Sequence, residues 1–196
     1  MPSGFLLVMM QPPSAFEEEF NAWYDTEHLP ERLAVPGFRT AIRFVCLDGH
    51  PRYLAMYDMD DRAVLDSDAY MAVSADRFSP WTRRVTSRVL VHRTSGHQLY
   101  PGDIVTGSAT RVRLMRFRGI ARGDDAELIN TLRKAFEDRP ETMSLRVLCG
   151  DGNDGHFAFI ELRFPPAPNI ADLEAIGRFA QFLDMDNVYA PYDPRI

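Results

Sequence analysis

Apolar positions along the chain fall into short runs separated by amphipathic stretches. Residues 5–10, Phe5-Leu6-Leu7-Val8-Met9-Met10, form a continuous apolar run of strand length, the mark of a buried strand. Pro12-Pro13 break it. Phe16, Phe20, Trp23 and Tyr24 then recur at i, i+4, i+7 and i+8 and share one helical stripe. Ser14 with Glu17 three residues on predicts a capping box. Glu17, Glu18 and Glu19 put negative charge in the first turn, where the helix dipole favours it. The helix is expected to stop near His28, because the residue before Pro30 is pushed away from helical dihedrals. Strands follow over 38–47 and 53–59 around the turn Asp48-Gly49-His50-Pro51. A second helix is expected from Asp60 or Asp61 to about Ala75. Ser79-Pro80-Trp81 opens a short one, with Ser at the cap and Pro at the first position. A fourth strand is expected over 88–99. The order is βαββαβ, the ferredoxin-like split unit.

Residues 100–109 hold Pro101, Gly102, Gly107 and Ser108, a linker composition. The order then repeats. A half-buried strand over 111–118 precedes a helix, capped by Asp124 or Asp125, with Leu128, Ile129, Leu132 and Phe136 on one face. Strands at 143–149 and 157–164 flank the Gly-rich turn 150–155. A helix over 169–183 turns Leu173, Ile176, Phe179, Ala180 and Leu183 inward, and a short strand over 188–192 closes the chain. The repeat shows in residues too. Phe44-Val45-Cys46, Asp48-Gly49 and Tyr53-Leu54-Ala55 match Val147-Leu148-Cys149, Asp151-Gly152 and Phe157-Ala158-Phe159. Cys46 and Cys149 therefore fall at equivalent places and read as small core residues, reduced and unpaired.

A four-stranded sheet with helices on one face leaves its other face apolar and in need of cover. The expected fold is α+β: two tandem ferredoxin-like (βαββαβ) units, residues 1–100 and 108–196, packed sheet-to-sheet as an intrachain pseudo-dimeric α+β barrel. The molecule is then a monomer with a pseudo-dimeric barrel or a homodimer of such barrels.

Composition narrows the function classes. In 196 residues, 45% are hydrophobic and 26% charged, ordinary for a globular protein, and the net charge of −6 disfavours nucleic acid and anionic membrane as partners. Two cysteines make no disulfide framework. The N-terminus lacks a basic n-region, and no run reaches transmembrane length, which points to a cytoplasmic protein.

Chemistry is densest between Phe20 and Arg32. His28 follows Tyr24 by four residues and shares its face; the helix dipole favours its imidazolium and burial its neutral form, and either way it is expected to titrate near neutral pH. It reads either as a helix-ending histidine bonded to the last carbonyls or as an acid–base or ligand-orienting group. Arg43 on the second strand is either a forked holder of a planar anion or the partner of Glu27, Glu31 or Asp58. Methionines and aromatics of the first half, Met9, Phe20 and Tyr57 among them, line an apolar pocket or simply form core. His50, His92, His97 and His156 are scattered without metal-pair spacing, so no metal is expected. The turn 150–155 lacks the glutamate of a calcium loop. Residues 156–162 partly match an RNA-recognition strand, but the basic residue and the glycine are missing.

The string Trp23-Tyr24-x-x-Glu27-His28-x-Pro30-x-Arg32, followed by Val35-Pro36-Gly37-Phe38 and a strand bearing Arg43, resembles the dimeric α+β barrel superfamily. Within it, the string resembles the EthD-like proteins, named for ethyl tert-butyl ether degradation. Pro80-Trp81-Thr82-Arg83-Arg84 is similar to the same branch. The second half matches only in its order of elements. The resemblance implies a cofactor-free small-molecule enzyme that moves protons on an aromatic or enolisable substrate, of the dehydratase, cyclase, isomerase or cofactor-independent oxygenase type. It implies His28 as acid–base, Tyr24 as neighbouring donor, Arg43 as anion holder, and Trp23, Phe20, Met9, Tyr57 and Trp81 as contacts for a small apolar or aromatic molecule. The alternative is a non-catalytic ligand-binding or carrier protein of the same fold. A pocket walled by His28 is expected in the first half, with none comparable in the second.

Overall fold

The computed structural model describes residues 2–74, 77–166 and 171–192. Eight strands are present among these described residues: β1 (Gly4–Gln11), β2 (Phe38–Cys46), β3 (Tyr53–Met59), β4 (Leu90–Tyr100), β5 (Arg111–Phe117), β6 (Thr142–Gly150), β7 (His156–Leu162) and β8 (Leu183–Pro191). All pairings are antiparallel, and the order β1-β3-β2-β8-β5-β7-β6-β4 closes on itself as a barrel. The first-half strands run β4-β1-β3-β2 and the second-half strands run β6-β7-β5-β8. The β2–β8 and β4–β6 pairs are the two seams. At the second seam Gly96 faces Gly150, and a Cβ on Gly96 would come within 2.0 Å of the Cys149 carbonyl oxygen. Backbones meet there only because neither residue has a side chain.

Strand alternation sorts the core into three layers. Leu6, Val8 and Met10 of β1 join Tyr53, Ala55 and Tyr57 beneath the first-half helices. Phe5, Leu7 and Met9 point the other way. They meet Phe44, Leu54, Met56, Leu114, Phe157 and Phe159 inside the barrel. Met115, Phe117, Leu145, Val147 and Ile160 pack under the second-half helices.

Several local expectations are corrected. The first helix does not stop at His28. It runs as α1 (Glu17–Trp23), a π-helical segment Tyr24–His28, and α2 (Leu29–Leu33). Pro30 sits in the first turn of α2, where its missing N–H costs least. Ser14 lies in a 3₁₀ turn without a side-chain cap, and Glu17 instead accepts from Arg52 and Tyr53. The second helix breaks into a 3₁₀ turn, Arg62–Asp66, capped by Asp61, and a single turn α3 (Asp68–Met71) capped by Ser67. Its expected end at Ala75 lies outside the described residues. The short helix is α4 (Pro80–Thr86), and the second half carries α5 (Asp125–Leu132) with a π-helical segment Arg133–Glu137. The helix expected over 169–183 is α6 (Ala171–Ala175) followed by a 3₁₀ segment Gly177–Phe182. It is interrupted at Gly177, whose φ is 52°, and Asn169 lies outside the described residues. Leu173 is exposed rather than inward, and the last strand is much longer than expected.

The cysteines are not equivalent. Val45 pairs with Tyr53, whereas Cys149 pairs with His156, so the second hairpin is one residue shorter. A one-residue offset exchanges the faces of a strand. Cys46 therefore points into the barrel, and Cys149 sits on the helix side beside His156. Both are free thiols.

Candidate functional site

The Phe20–Arg32 stretch lies over the outer face of the first-half sheet. Trp23 and Tyr24 are fully buried. The Trp23 indole N–H donates to Thr82 Oγ1 at 2.9 Å, and Thr82 Oγ1 and Ser79 Oγ donate to Glu27 Oε1 at 2.8 and 2.5 Å. These bonds pin α4 to the first helix. They explain why Thr82 is buried and why Glu27 carries no load near Arg43.

The π-helical segment brings Tyr24 and His28 together. The His28 ring stacks on Trp23 with centroids 4.4 Å apart and meets Tyr24 edge-on at 5.1 Å. The hydroxyls of Tyr24 and Tyr57 are 3.0 Å apart in the buried layer. His28 keeps part of its surface exposed, but Nδ1 is inside and has no hydrogen-bond partner. Burial, then the charges of Arg32 and Arg43, push the His28 pKa down to about 3, so the imidazole is neutral near pH 7. Burial raises the Tyr24 phenol and pushes Tyr57 well up, so both carry their protons.

Arg43 belongs to a different cluster of the same layer. Its Nη1 donates to Asp25 Oδ1 and its Nη2 to Asn21 Oδ1, each at 2.5 Å. The guanidinium lies between the rings of Tyr24 at 4.3 Å and Tyr192 at 4.1 Å. Its carboxylate partner is Asp25, not Glu27, Glu31 or Asp58. A cleft of about 240 Å³ opens beside it, lined by Asp25, Leu29, Ala41, Ile42, Arg43 and Tyr192.

The other expected site residues divide. Phe20, Trp23 and Tyr57 share the layer with His28, and Trp81 packs on its edge with a buried, unpartnered indole N–H. Met9 does not join them. It lies inside the barrel, because alternation along β1 sends Met9 and Met10 to opposite faces. Arg32 was in the motif but carried no expected role. It is 3% exposed, lies over the Tyr70 ring at 5.1 Å, and its Nη1 has no partner. Tyr24, His28 and Arg32 fall at i, i+4 and i+8, a stripe visible only if the helix continues through Pro30.

The second half differs. Its π-helical segment carries Arg133 and Glu137, with Glu137 accepting from Tyr100 and Arg133. Leu128, Leu132, Phe136, Ile176 and Phe179 fill the layer below. The expected pocket with His28 at its wall is not what the described residues show: the first-half cleft is lined by Arg43 and Asp25 and not by His28, and the second half, expected to have nothing comparable, has hollows of its own. A surface cleft of about 430 Å³ runs between α5 and the 3₁₀ segment, past Glu127, Lys134 and Arg178. Among the described residues, no group of three or more His, Cys, Asp or Glu is placed to hold a metal ion. No helix among them is long and apolar enough to cross a membrane.

No family model matches the chain, and no curated protein matches it. Solved structures do. An anthrone oxidase-like protein superposes with a TM-score of 0.69 at 11% identity, over 98% of this chain and 92% of its own. A chlorite dismutase from Candidatus Nitrospira defluvii gives 0.57 at 9% identity, over 98% and 91%. A heme-binding protein from Thermus thermophilus gives 0.54 at 9%, over 98% and 92%. At such identities the likeness establishes the fold alone. Neither His28 nor His156 is placed to hold a heme iron. His156, the one histidine of the second half, bonds Asp125 through Nε2 at 2.9 Å above a filled layer. The cationic neighbours that disfavour a proton on His28 also disfavour an iron cation there. These neighbours are dimeric α+β barrels, and the chain shares that architecture, with an eight-stranded antiparallel barrel closed within one polypeptide.

Proposed function

We propose that the protein is a small-molecule enzyme of the EthD-like branch, built from two ferredoxin-like units and working through His28 in the first-half layer. The reaction is removal of a proton from an aromatic hydroxyl or an enolisable carbon. That step opens a dehydration, cyclisation, isomerisation or cofactor-independent oxidation. One observation carries the reading: a neutral imidazole with an unpartnered inner nitrogen, held between Trp23 and Tyr24. A neutral imidazole nitrogen accepts a proton. Alone it is a weak base, since burial and two arginines oppose the imidazolium. Negative charge developing on a substrate against those arginines removes that opposition as the proton moves. The base therefore acts best on a substrate that becomes an oxyanion. Two unpaired thiols suit a reducing, cytoplasmic setting.

Anthrone is an apt probe, because its methylene hydrogens are acidified by the ring ketone and its enol is aromatic. Under argon in deuterated buffer, the protein is expected to accelerate exchange of those hydrogens. His28→Gln should lose about 10²–10⁴-fold of that acceleration. Equal exchange in the two proteins would remove His28 as the base. It would leave the second reading, favoured by the depressed pKa: a carrier in which neutral His28 only hydrogen-bonds its ligand.

A further inference from the structure

The buried arginines are not alike. Arg43 is paired with Asp25 and Arg146 with Asp58, as the partly buried Arg113 is with Asp172 and Asp186. Arg32 is as buried as Arg43, yet among the described residues it forms no ion pair, and its Nη1 faces no acceptor. A buried cation is ordinarily matched by an anion, because desolvating it alone is costly. The neighbouring Glu31 carboxylate feels the Arg32 charge without forming an ion pair, and what lies against the guanidinium is aromatic. The guanidinium lies over Tyr70 at 5.1 Å, Tyr70 stacks on Phe38 at 6.0 Å, and Phe38 meets the Tyr57 ring edge-on at 5.8 Å. The Tyr57 hydroxyl is already engaged with Tyr24.

Two other interior polar atoms of this layer also lack partners: His28 Nδ1, one helical turn before Arg32, and the Trp81 indole nitrogen. Arg32 and Trp81 can only donate. The layer thus presents unpartnered donors and one unpartnered imidazole nitrogen, while its oxygens are already engaged: Tyr24 with Tyr57, Asp25 with Arg43, Glu27 with Ser79 and Thr82, and Tyr70 with Arg93. Arg43 cannot supply the missing site, because Asp25 and Asn21 already occupy its fork.

We infer that Arg32, not Arg43, holds the anionic oxygen of the substrate, and that the substrate class is aromatic compounds bearing a carboxylate or an ionised hydroxyl. This rests on the first-half layer being the binding site, and it gives the proton transfer at His28 its charge partner. A guanidinium fork grips a planar oxyanion through two N–H groups, and an aromatic ring attached to that anion lies among Tyr70, Phe38 and Tyr57.

The test compares 2-naphthoate with the neutral 2-naphthamide by calorimetric titration. The unsubstituted protein is expected to bind naphthoate at least tenfold more tightly than the amide. Arg32→Met should bring the two affinities within twofold of each other. Arg32→Lys should keep the charge but lose the fork, leaving an intermediate preference. His28→Gln should lose anthrone exchange while keeping the anion preference, so failure of the acid–base reading and failure of this one are told apart. The inference is overturned if the unsubstituted protein binds the two probes equally or binds neither. A folded Arg32→Met that retains the full preference also overturns it. Should Arg32→Met not fold, an unchanged preference in Arg32→Lys would do the same.

Discussion

The closure of the barrel makes a prediction that can be worked from distances. Asp58 on β3 and Arg146 on β6 come from different halves, and their side chains are 3% and 1% exposed. Arg146 Nη1 donates to Asp58 Oδ1 at 2.6 Å, and Nη2 donates to Thr106 Oγ1 at 2.7 Å. The Thr106 amide returns a bond to Asp58 Oδ2 at 2.7 Å, and Thr40 Oγ1 adds another at 2.5 Å. The guanidinium lies over Phe159 at 4.4 Å. One interior ion pair therefore ties the first half, the linker and the second half together. Removing either member strands the other charge, which costs about 3–5 kcal/mol. Against a typical total of roughly 5–15 kcal/mol, that is a large share. Asp58→Ala and Arg146→Met should each lower the unfolding free energy by that amount, read as a urea midpoint lowered by that amount divided by m, with m unchanged. The double replacement Asp58→Leu/Arg146→Met strands no charge. It leaves the Thr106 amide without an acceptor, a cost of about 1–3 kcal/mol. Its loss should fall far short of the roughly 6–10 kcal/mol sum of the singles implied by the same pair energies. Single losses under about 1 kcal/mol, or additivity within about 0.5 kcal/mol, would refute the interlock.

His28 is held at about 3, below its ordinary 6.5, by burial first and then by Arg32 and Arg43. The unfolded chain therefore binds the extra proton between those values. The contribution is full above about pH 6.5 and stability falls as pH drops from there toward about 3. The His28 imidazole signals should not titrate between about pH 8 and 5, and a midpoint near 6.5 would contradict this burial. His28→Gln should flatten the acid limb of the stability profile. Thiol titration should find two groups after denaturation. In the native state Cys149, beside a cleft of about 120 Å³, should react slowly and before Cys46 inside the barrel, since burial raises both thiols. Cys46 reacting first, or a disulfide on mass analysis, would overturn that assignment.

The sequence by itself determined whatever depends on neighbours along the chain. The unbroken apolar run of β1 told that both its faces would be covered, and the aromatic stripe told which face of the first helix goes down. Spacing placed Tyr24 and His28 together, as found. It also led to the expectation of eight strands, the number found among the described residues. It stopped the helix too soon, because the rule for the residue before proline is statistical and a π-helical segment followed by a first-turn proline evades it. That hid the Tyr24–His28–Arg32 stripe. Only the tertiary structure decided which charge meets which. Arg43 lies opposite Asp25 and Asn21, Arg146 reaches Asp58 across a seam, and Arg32 is left without a carboxylate. It also decided that Met9 faces away from His28 and that one residue fewer in a hairpin turns Cys149 outward while Cys46 turns in. The physical reason is range. Periodicity and turn chemistry are set within a few residues. The partner of a buried charge, and the face a residue shows, are set by the register in which distant strands close the barrel.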